Sequence, residues 1–225
     1  MILAIDTSLG SGAALVDADG TVLGEAWSDD PLAHAEVIGE LLSRVLATGE
    51  APTHVAAGMG PGPFTGLRIG IVAARTFAQA RGLPLVPVAS HDAVALEVLT
   101  GAPGRSVLAG DAASGIFAVV TDARRREFAF SVYDGLDLDG LPYRIVGPTL
   151  AHRDEIDERL AALGAVRVDA AAISTAALGV VAARAVAAGR SIASPEPPYL
   201  RAPDATMPGA PKQVRSRTTK RAKSS

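Results

Sequence analysis

An aspartate that closes an apolar run and is followed at once by two hydroxyl residues can bring a metal ion and a phosphate together. Asp6-Thr7-Ser8, after Ile2 to Ile5, has that form. The carboxylate would face the metal, and the hydroxyls and amides the phosphate. The same three residues also suit a strand-to-hairpin loop, where Asp, Thr and Ser satisfy local backbone donors, so both readings stand. Ser8 and Ser11 show no base partner in the sequence. No Gly-x-Ser-x-Gly elbow, His-Glu-x-x-His or P-loop occurs, and the body lacks a phosphate-binding lysine, because Lys212, Lys220 and Lys223 are the only lysines. His34, His54, His91 and His152 form no pair at metal-ligand spacing on one helix. Cysteine is absent, which excludes disulfides, thiol catalysis and cysteine-held metals. Hydrolysis, zinc chemistry and P-loop phosphoryl transfer lack their parts, so no catalytic residue, metal or cofactor is expected.

The elements that must position these residues alternate. Ile2 to Ile5, Ala13 to Val16 and Thr21 to Trp27, separated by a polar loop and the Asp17-Ala18-Asp19-Gly20 turn, read as a three-strand meander. Asp30 and Pro31 suit an N-cap and first helical residue, and Val37, Leu41 and Val45 then repeat at helical spacing up to Gly49. His54 to Gly58 is a short strand. Gly60-Pro61-Gly62-Pro63 stiffens the turn into a second helix, which Thr65 is placed to cap, with Phe64 and Ile69 at the staple positions. Along that helix Gly66, Gly70, Ala74 and Ala78 fall four apart and make a face that another backbone can approach closely: the chain's own sheet or helix, or a second subunit.

Leu85 to Val88 gives another strand, and Ser90 suits the cap of a helix from about 92 to 99. Gly101 to Gly104 marks a boundary. Ile116 to Thr121 and Phe128 to Val132, across an Ala-Arg-Arg-Arg turn, restart the strand pattern. A helix over 154–163, a strand at Val166 to Val168 and an alanine-rich helix over 170–183, broken by Arg184, complete it. The order predicts an α/β fold of two related lobes, 1–100 and 101–211, followed by a tail, 212–225.

The net charge of −3 hides an asymmetry. Six of the 21 cations and none of the 24 acids lie in 212–225, which leaves 15 cations against 24 acids, a net of −9, over 1–211. The tail reads as a solvated, disordered end or as a salt-sensitive nucleic-acid contact. With aromatics at 4 %, the body offers few platforms for bases, which makes it a poor RNA binder alone. The alanine-rich helix falls short of the ~20 apolar residues a membrane span needs, and no basic segment precedes Ile2 to Ile5, so the expected address is cytoplasmic.

The blocks Ile2-Leu3-Ala4-Ile5-Asp6-Thr7-Ser8, His34, and Gly60-Pro61-Gly62-Pro63-Phe64-Thr65-Gly66-Leu67-Arg68-Ile69-Gly70 closely resemble the signature of the TsaB (YeaZ) family. Asp122-Ala123-Arg124-Arg125 and Pro198-Tyr199-Leu200-Arg201-Ala202-Pro203-Asp204-Ala205 resemble its actinobacterial form. Pro63 departs from the pattern, standing where the family usually has serine. The resemblance implies two ribonuclease-H-like lobes similar to the actin, sugar-kinase and heat-shock chaperone ATPase superfamily. It also implies a non-catalytic subunit that works with a TsaD-type transferase and a TsaE-type ATPase. Together they place threonylcarbamoyl on the adenosine 3′ of the anticodon in tRNAs reading codons that begin with A. Such a subunit would meet tRNA only through the complex and would form a homodimer when alone. In that family the two helices of the first lobe form the interface, which would give Val37, Leu41, Val45, Gly66, Gly70 and Ala74 that role, with Asp6, Thr7, Ser8, Gly60, Gly62, Thr65 and Arg68 as signature loops. Two rival readings are an ATP-binding phosphotransferase built on Asp6, Thr7 and Ser8, and a peptidase acting on its partner; the second phosphate loop and the nucleophile-base pair they require are not visible in the sequence.

Overall fold

The computed structural model describes residues 1–30, 33–101 and 115–200, and the backbone of 107–109. The basic tail, and residues 201–205 of the closing motif, lie outside the described residues.

Two five-stranded sheets carry the fold. In the first, β1 (Ile2–Asp6), β2 (Ser11–Val16) and β3 (Val22–Ser28) form the expected meander, and β4 (His54–Gly58) and β5 (Leu85–Val88) add parallel strands, giving the order β3-β2-β1-β4-β5. The second contains β6 (Val107–Ala109), β7 (Phe117–Asp122), β8 (Glu127–Leu136), β9 (Pro142–His152) and β10 (Val166–Ala170), in the order β6-β10-β7-β8-β9. There β7, β8 and β9 make a second antiparallel meander and β10 lies parallel to β7. The repeat ends at the last strand: β5 is parallel to β4, whereas β6 runs antiparallel to β10.

Five layers follow from the two-residue period of the strands. Leu3, Ile5, Ala13, Leu15, Val55 and Ala57 face α1 (His34–Leu46) and α2 (Phe64–Arg81), while Ile2, Ala4, Ala14, Val16 and Ala56 face the opposite way. That inner face meets α3 (Ser90–Thr100) and α5 (Thr175–Ala187), which also cover Phe117, Val119, Tyr133 and Val168 of the second sheet. The outer face of the second sheet, with Ala118, Val120, Phe130 and Val132, packs on Ile156 and Leu160 of α4 (Ile156–Ala162). The middle helices are therefore buried nearly all round, which is why α5 is alanine-rich. At Gly179 a Cβ would lie 2.5 Å from Val16 Cγ2, so the glycine sets how closely α5 approaches β2.

Helix starts differ from those predicted. α1 begins at His34 behind Ala33, which makes no side-chain cap, instead of at Asp30-Pro31; residues 31 and 32 are outside the described residues. α2 begins at Phe64 behind Pro63, so Thr65 is inside the helix and exposed. α3 begins at Ser90, two residues before the expected start. Ser174, unanticipated, caps α5 by accepting from the Ala177 amide at 3.1 Å. At the β7–β8 turn Arg124, Arg125 and Arg126 have φ of 62°, 51° and 63°, a left-handed conformation that costs about 1–2 kcal/mol for each residue bearing a Cβ.

Candidate functional site

The signature residues converge at the C-terminal end of β1. Asp6 is buried, and its Oδ1 accepts from the Ser8 amide at 2.7 Å and from the Ser8 hydroxyl. The Ser90 hydroxyl, from the first turn of α3, donates to Oδ2 at 2.5 Å, lies 2.9 Å from Ser8 Oγ, and accepts from the Gly60 amide at 3.0 Å. Burial raises the Asp6 pKa against the lowering effect of those bonds.

The space in front of the carboxylate is filled by the chain itself. A Cβ on Gly58 would lie 1.8 Å from Asp6 Oδ2, and one on Gly62 would lie 2.6 Å from Ser8 Cβ. Gly58, at the end of β4, and Gly62, in the loop after it, thus let this segment lie directly on Asp6 and Ser8. Thr7 locks the other side: its hydroxyl donates to the Gly66 carbonyl at 2.7 Å and accepts from the Gly70 amide at 2.9 Å, bridging the first turns of α2. His34, at the start of α1, pairs through Nδ1 with Ser11 Oγ at 2.7 Å, and its Nε2 is 2.9 Å from where a Gly66 Cβ would be. Ser11 therefore has a base partner, 23 residues on, that the sequence did not show; the hydroxyl is completely buried.

The residues named for a subunit contact turn inward. Leu41 and Val45 are buried, and half-buried Val37 packs on the same core as Leu3 and Ile5. Gly66, Gly70 and Ala74 are buried too, the first two against His34 and Thr7. Of the two openings left by the small-residue face, the chain's own loop and sheet take it: glycine is there because Thr7 and His34 occupy the Cβ positions. The outward face of α2 carries Thr65, Arg68, Val72, Arg75 and Thr76 instead, with Val72 56 % exposed. Part of this face is overlaid by the closing segment: Tyr199 meets the Phe64 ring at 4.9 Å, Arg68 lies 5.2 Å from the same ring, and Arg75 donates to the Pro195 carbonyl at 2.5 Å.

A second buried polar cluster, absent from the sequence reading, lies between α3 and the second sheet. His91 sits 3.0 Å from both Ser131 Oγ and Thr121 Oγ1, and burial, then Arg144, brings its pKa down to about 3. Asp92 accepts from Tyr133 OH at 2.7 Å with Arg144 at 3.3 Å; burial outweighs both and lifts it to about 6. Among the described residues no group of three His, Asp or Glu could hold a metal, and no helix is long and apolar enough to cross a membrane.

The family whose model matches residues 32–137 is described as TsaD: tRNA N6-adenosine threonylcarbamoyltransferase. An uncharacterized protein of Mycobacterium bovis is 36 % identical over 163 residues, covering 69 % of this chain and 67 % of its own. The fold matches YeaZ from Pseudomonas aeruginosa with a TM-score of 0.66 at 21 % identity, over 84 % of this chain and 92 % of that one. This chain and that mycobacterial protein belong to one family, and the fold is that of YeaZ. A further Pseudomonas aeruginosa structure, described as an uncharacterized protein with similarity to peptidase YeaZ, gives a TM-score of 0.70 at 23 % identity over 89 % of this chain and 99 % of that one. A tRNA N6-adenosine threonylcarbamoyltransferase of Streptococcus pneumoniae is 48 % identical, but over only 59 residues, 24 % of this chain and 18 % of the transferase. The two-sheet α/β architecture is shared with both Pseudomonas aeruginosa structures.

Proposed function

We propose that this chain acts in the synthesis of threonylcarbamoyladenosine in tRNA, as a non-catalytic subunit that supports a TsaD-type transferase together with a TsaE-type ATPase. The observation that carries this reading is the buried site: Asp6, Thr7 and Ser8 are shut off from solvent and held by Ser90, Gly66 and Gly70, with Gly58 and Gly62 lying directly against Asp6 and Ser8. A phosphotransferase built on Asp6 would have to open that network. The Ser11–His34 pair does not favour a peptidase, because the hydroxyl is buried.

With their apolar faces used for the core, α1 and α2 offer their outer faces to a partner, centred on Val72, Arg68 and Arg75. A second copy of the chain would use the same face when the transferase is absent, and tRNA is bound by the assembled complex. Co-purification with the transferase of the same organism, sized by light scattering, tests the pairing. A heteromeric complex supports it, and two proteins that elute separately at micromolar concentration refute it.

A further inference from the structure

After α5 the chain crosses to the outer side of α2. Ile192 packs on the inner core, and Pro195 to Tyr199 then lie along the helix. Arg75, past the middle of α2, donates to the Pro195 carbonyl at 2.5 Å, and Phe64, at its start, meets the Tyr199 ring at 4.9 Å, so the segment runs antiparallel to the helix. Pro195, Pro197 and Pro198 restrict their own φ angles and favour extended backbone. Pro197 is buried, the Glu196 amide donates to the Ser194 hydroxyl at 3.1 Å, and the Tyr199 amide donates to the Pro197 carbonyl at 2.9 Å. The segment therefore has its shape before any partner arrives.

That arrangement leaves an aromatic side chain at the surface. Tyr199 stays 46 % exposed while resting on Phe64, and Val72, one turn beyond Arg68, is 56 % exposed. Arg68 lies 5.2 Å from the Phe64 centroid, and Arg75 is tied to Pro195 with further guanidinium donors to spare. A ring, a valine and two guanidiniums thus stand on one face with their side chains already braced, so contact costs them little rotamer freedom. Tyrosine and arginine are also among the residue types that carry most binding energy at protein interfaces. Charge narrows the class of partner: α2 bears Arg68, Arg75 and Arg81, all exposed, and no acid, in a body whose net over residues 1–211 is −9. Arginines grouped in this way pair with carboxylates.

We infer that α2 and the segment after α5 form one composite docking surface for a protein partner, anchored by Tyr199, and that the partner presents an apolar hollow rimmed by carboxylates. The inference rests on the role proposed above, in which the outer face of α2 meets the transferase, and adds to that face a side chain from outside the first lobe's helices. Glu196, exposed on the same segment, opposes an acidic partner, so its charge works against pairing.

The test is calorimetry of the full-length chain with the transferase of the same organism, at low and at high salt. Tyr199→Ala should weaken pairing about tenfold or more. Its melting temperature should stay within about 2 °C of the native value, because the residue is half exposed and lies outside every helix and strand. Tyr199→Phe keeps the ring and should lose no more than about threefold. Glu196→Gln should tighten pairing, and the native affinity should fall several-fold as salt rises. Native pairing that Tyr199→Ala leaves unchanged, a loss confined to self-association of this chain, or tighter pairing at high salt would each overturn the inference and leave the proposed function standing. A native chain that does not pair with the transferase at micromolar concentration would overturn both.

Discussion

Replacing Gly70 by alanine tests the packing of the signature loops at one atom. In an exposed helix the change stabilises by about 1 kcal/mol, because alanine restricts the unfolded chain more than glycine does. Here the added Cβ would fall 2.3 Å from Thr7 Oγ1 and 3.2 Å from Thr7 Cβ. Thr7 is buried and β-branched, and its hydroxyl is engaged at both the Gly66 carbonyl and the Gly70 amide, so it has no free rotamer to move into. Overpacking costs about 1–3 kcal/mol, and two disturbed hydrogen bonds cost about 1 kcal/mol each. After the helix gain the net is a loss of about 2–4 kcal/mol, which for a chain of this size lowers the melting temperature by about 5–15 °C. Gly39→Ala is the control: it lies on the exposed side of α1 with nothing within 4 Å of the new methyl, and should gain about 0.5–1 kcal/mol. Differential scanning fluorimetry and urea melts of both variants measure this. A Gly70→Ala protein as stable as the native one, or shifted in the same direction as Gly39→Ala, would refute the Thr7 bridge.

Thr7→Val keeps the shape and removes the hydroxyl, leaving the Gly66 carbonyl and Gly70 amide without their bridge; urea melts should show a loss of about 1–3 kcal/mol. Asp92→Asn should change how stability varies with pH. The folded carboxyl titrates near 6 and the unfolded one near 3.8, so the folded state holds the extra proton between those values and native stability falls as pH rises through them. Asparagine does not titrate, so relative to native the variant should gain about 1–3 kcal/mol from pH 4 to 6. His91, held neutral with its pKa near 3, acts in the opposite sense between 3 and 6.5, where stability rises with pH; the variant should therefore expose that rise, and parallel native and variant curves would contradict it. Val72→Arg, on the exposed side of α2, should leave the melting temperature within about 1–2 °C and weaken pairing with the transferase by tenfold or more, as measured by calorimetry.

Periodic features of the chain were readable because they are local. The unbroken apolar runs of β1, β2 and β4, buried on both faces of the sheet, and the stripe of Leu41 and Val45 follow from which faces are buried, and the structure keeps them. What sequence spacing could not convey is where a hydroxyl goes. Ser90 and Thr65 both look like caps, yet Ser90 donates to a carboxylate 84 positions away and Thr65 lies inside α2. Ser11 and His34 meet only because α1 folds back over the loop after β1. The edge strand β9 was missed because Gly147-Pro148 breaks its pattern, which an edge tolerates and a central strand does not. Arg184 does not end α5, which runs on to Ala187 while its guanidinium reaches the Gly140 carbonyl. The buried cluster of His91, Asp92, Tyr133 and Arg144 joins three elements and left no short-range mark.

The central claim is that this chain supports the chemistry of a partner and performs none itself. Reconstituted tRNA threonylcarbamoylation, with each subunit omitted in turn and with Ser8→Ala and Ser11→Ala versions of this chain, tests it most directly. Modification that requires this chain, persists with either folded serine variant and vanishes with an inactivated transferase is the predicted result. Modification by this chain without the transferase, or its loss with a serine variant that still folds and pairs, would contradict it.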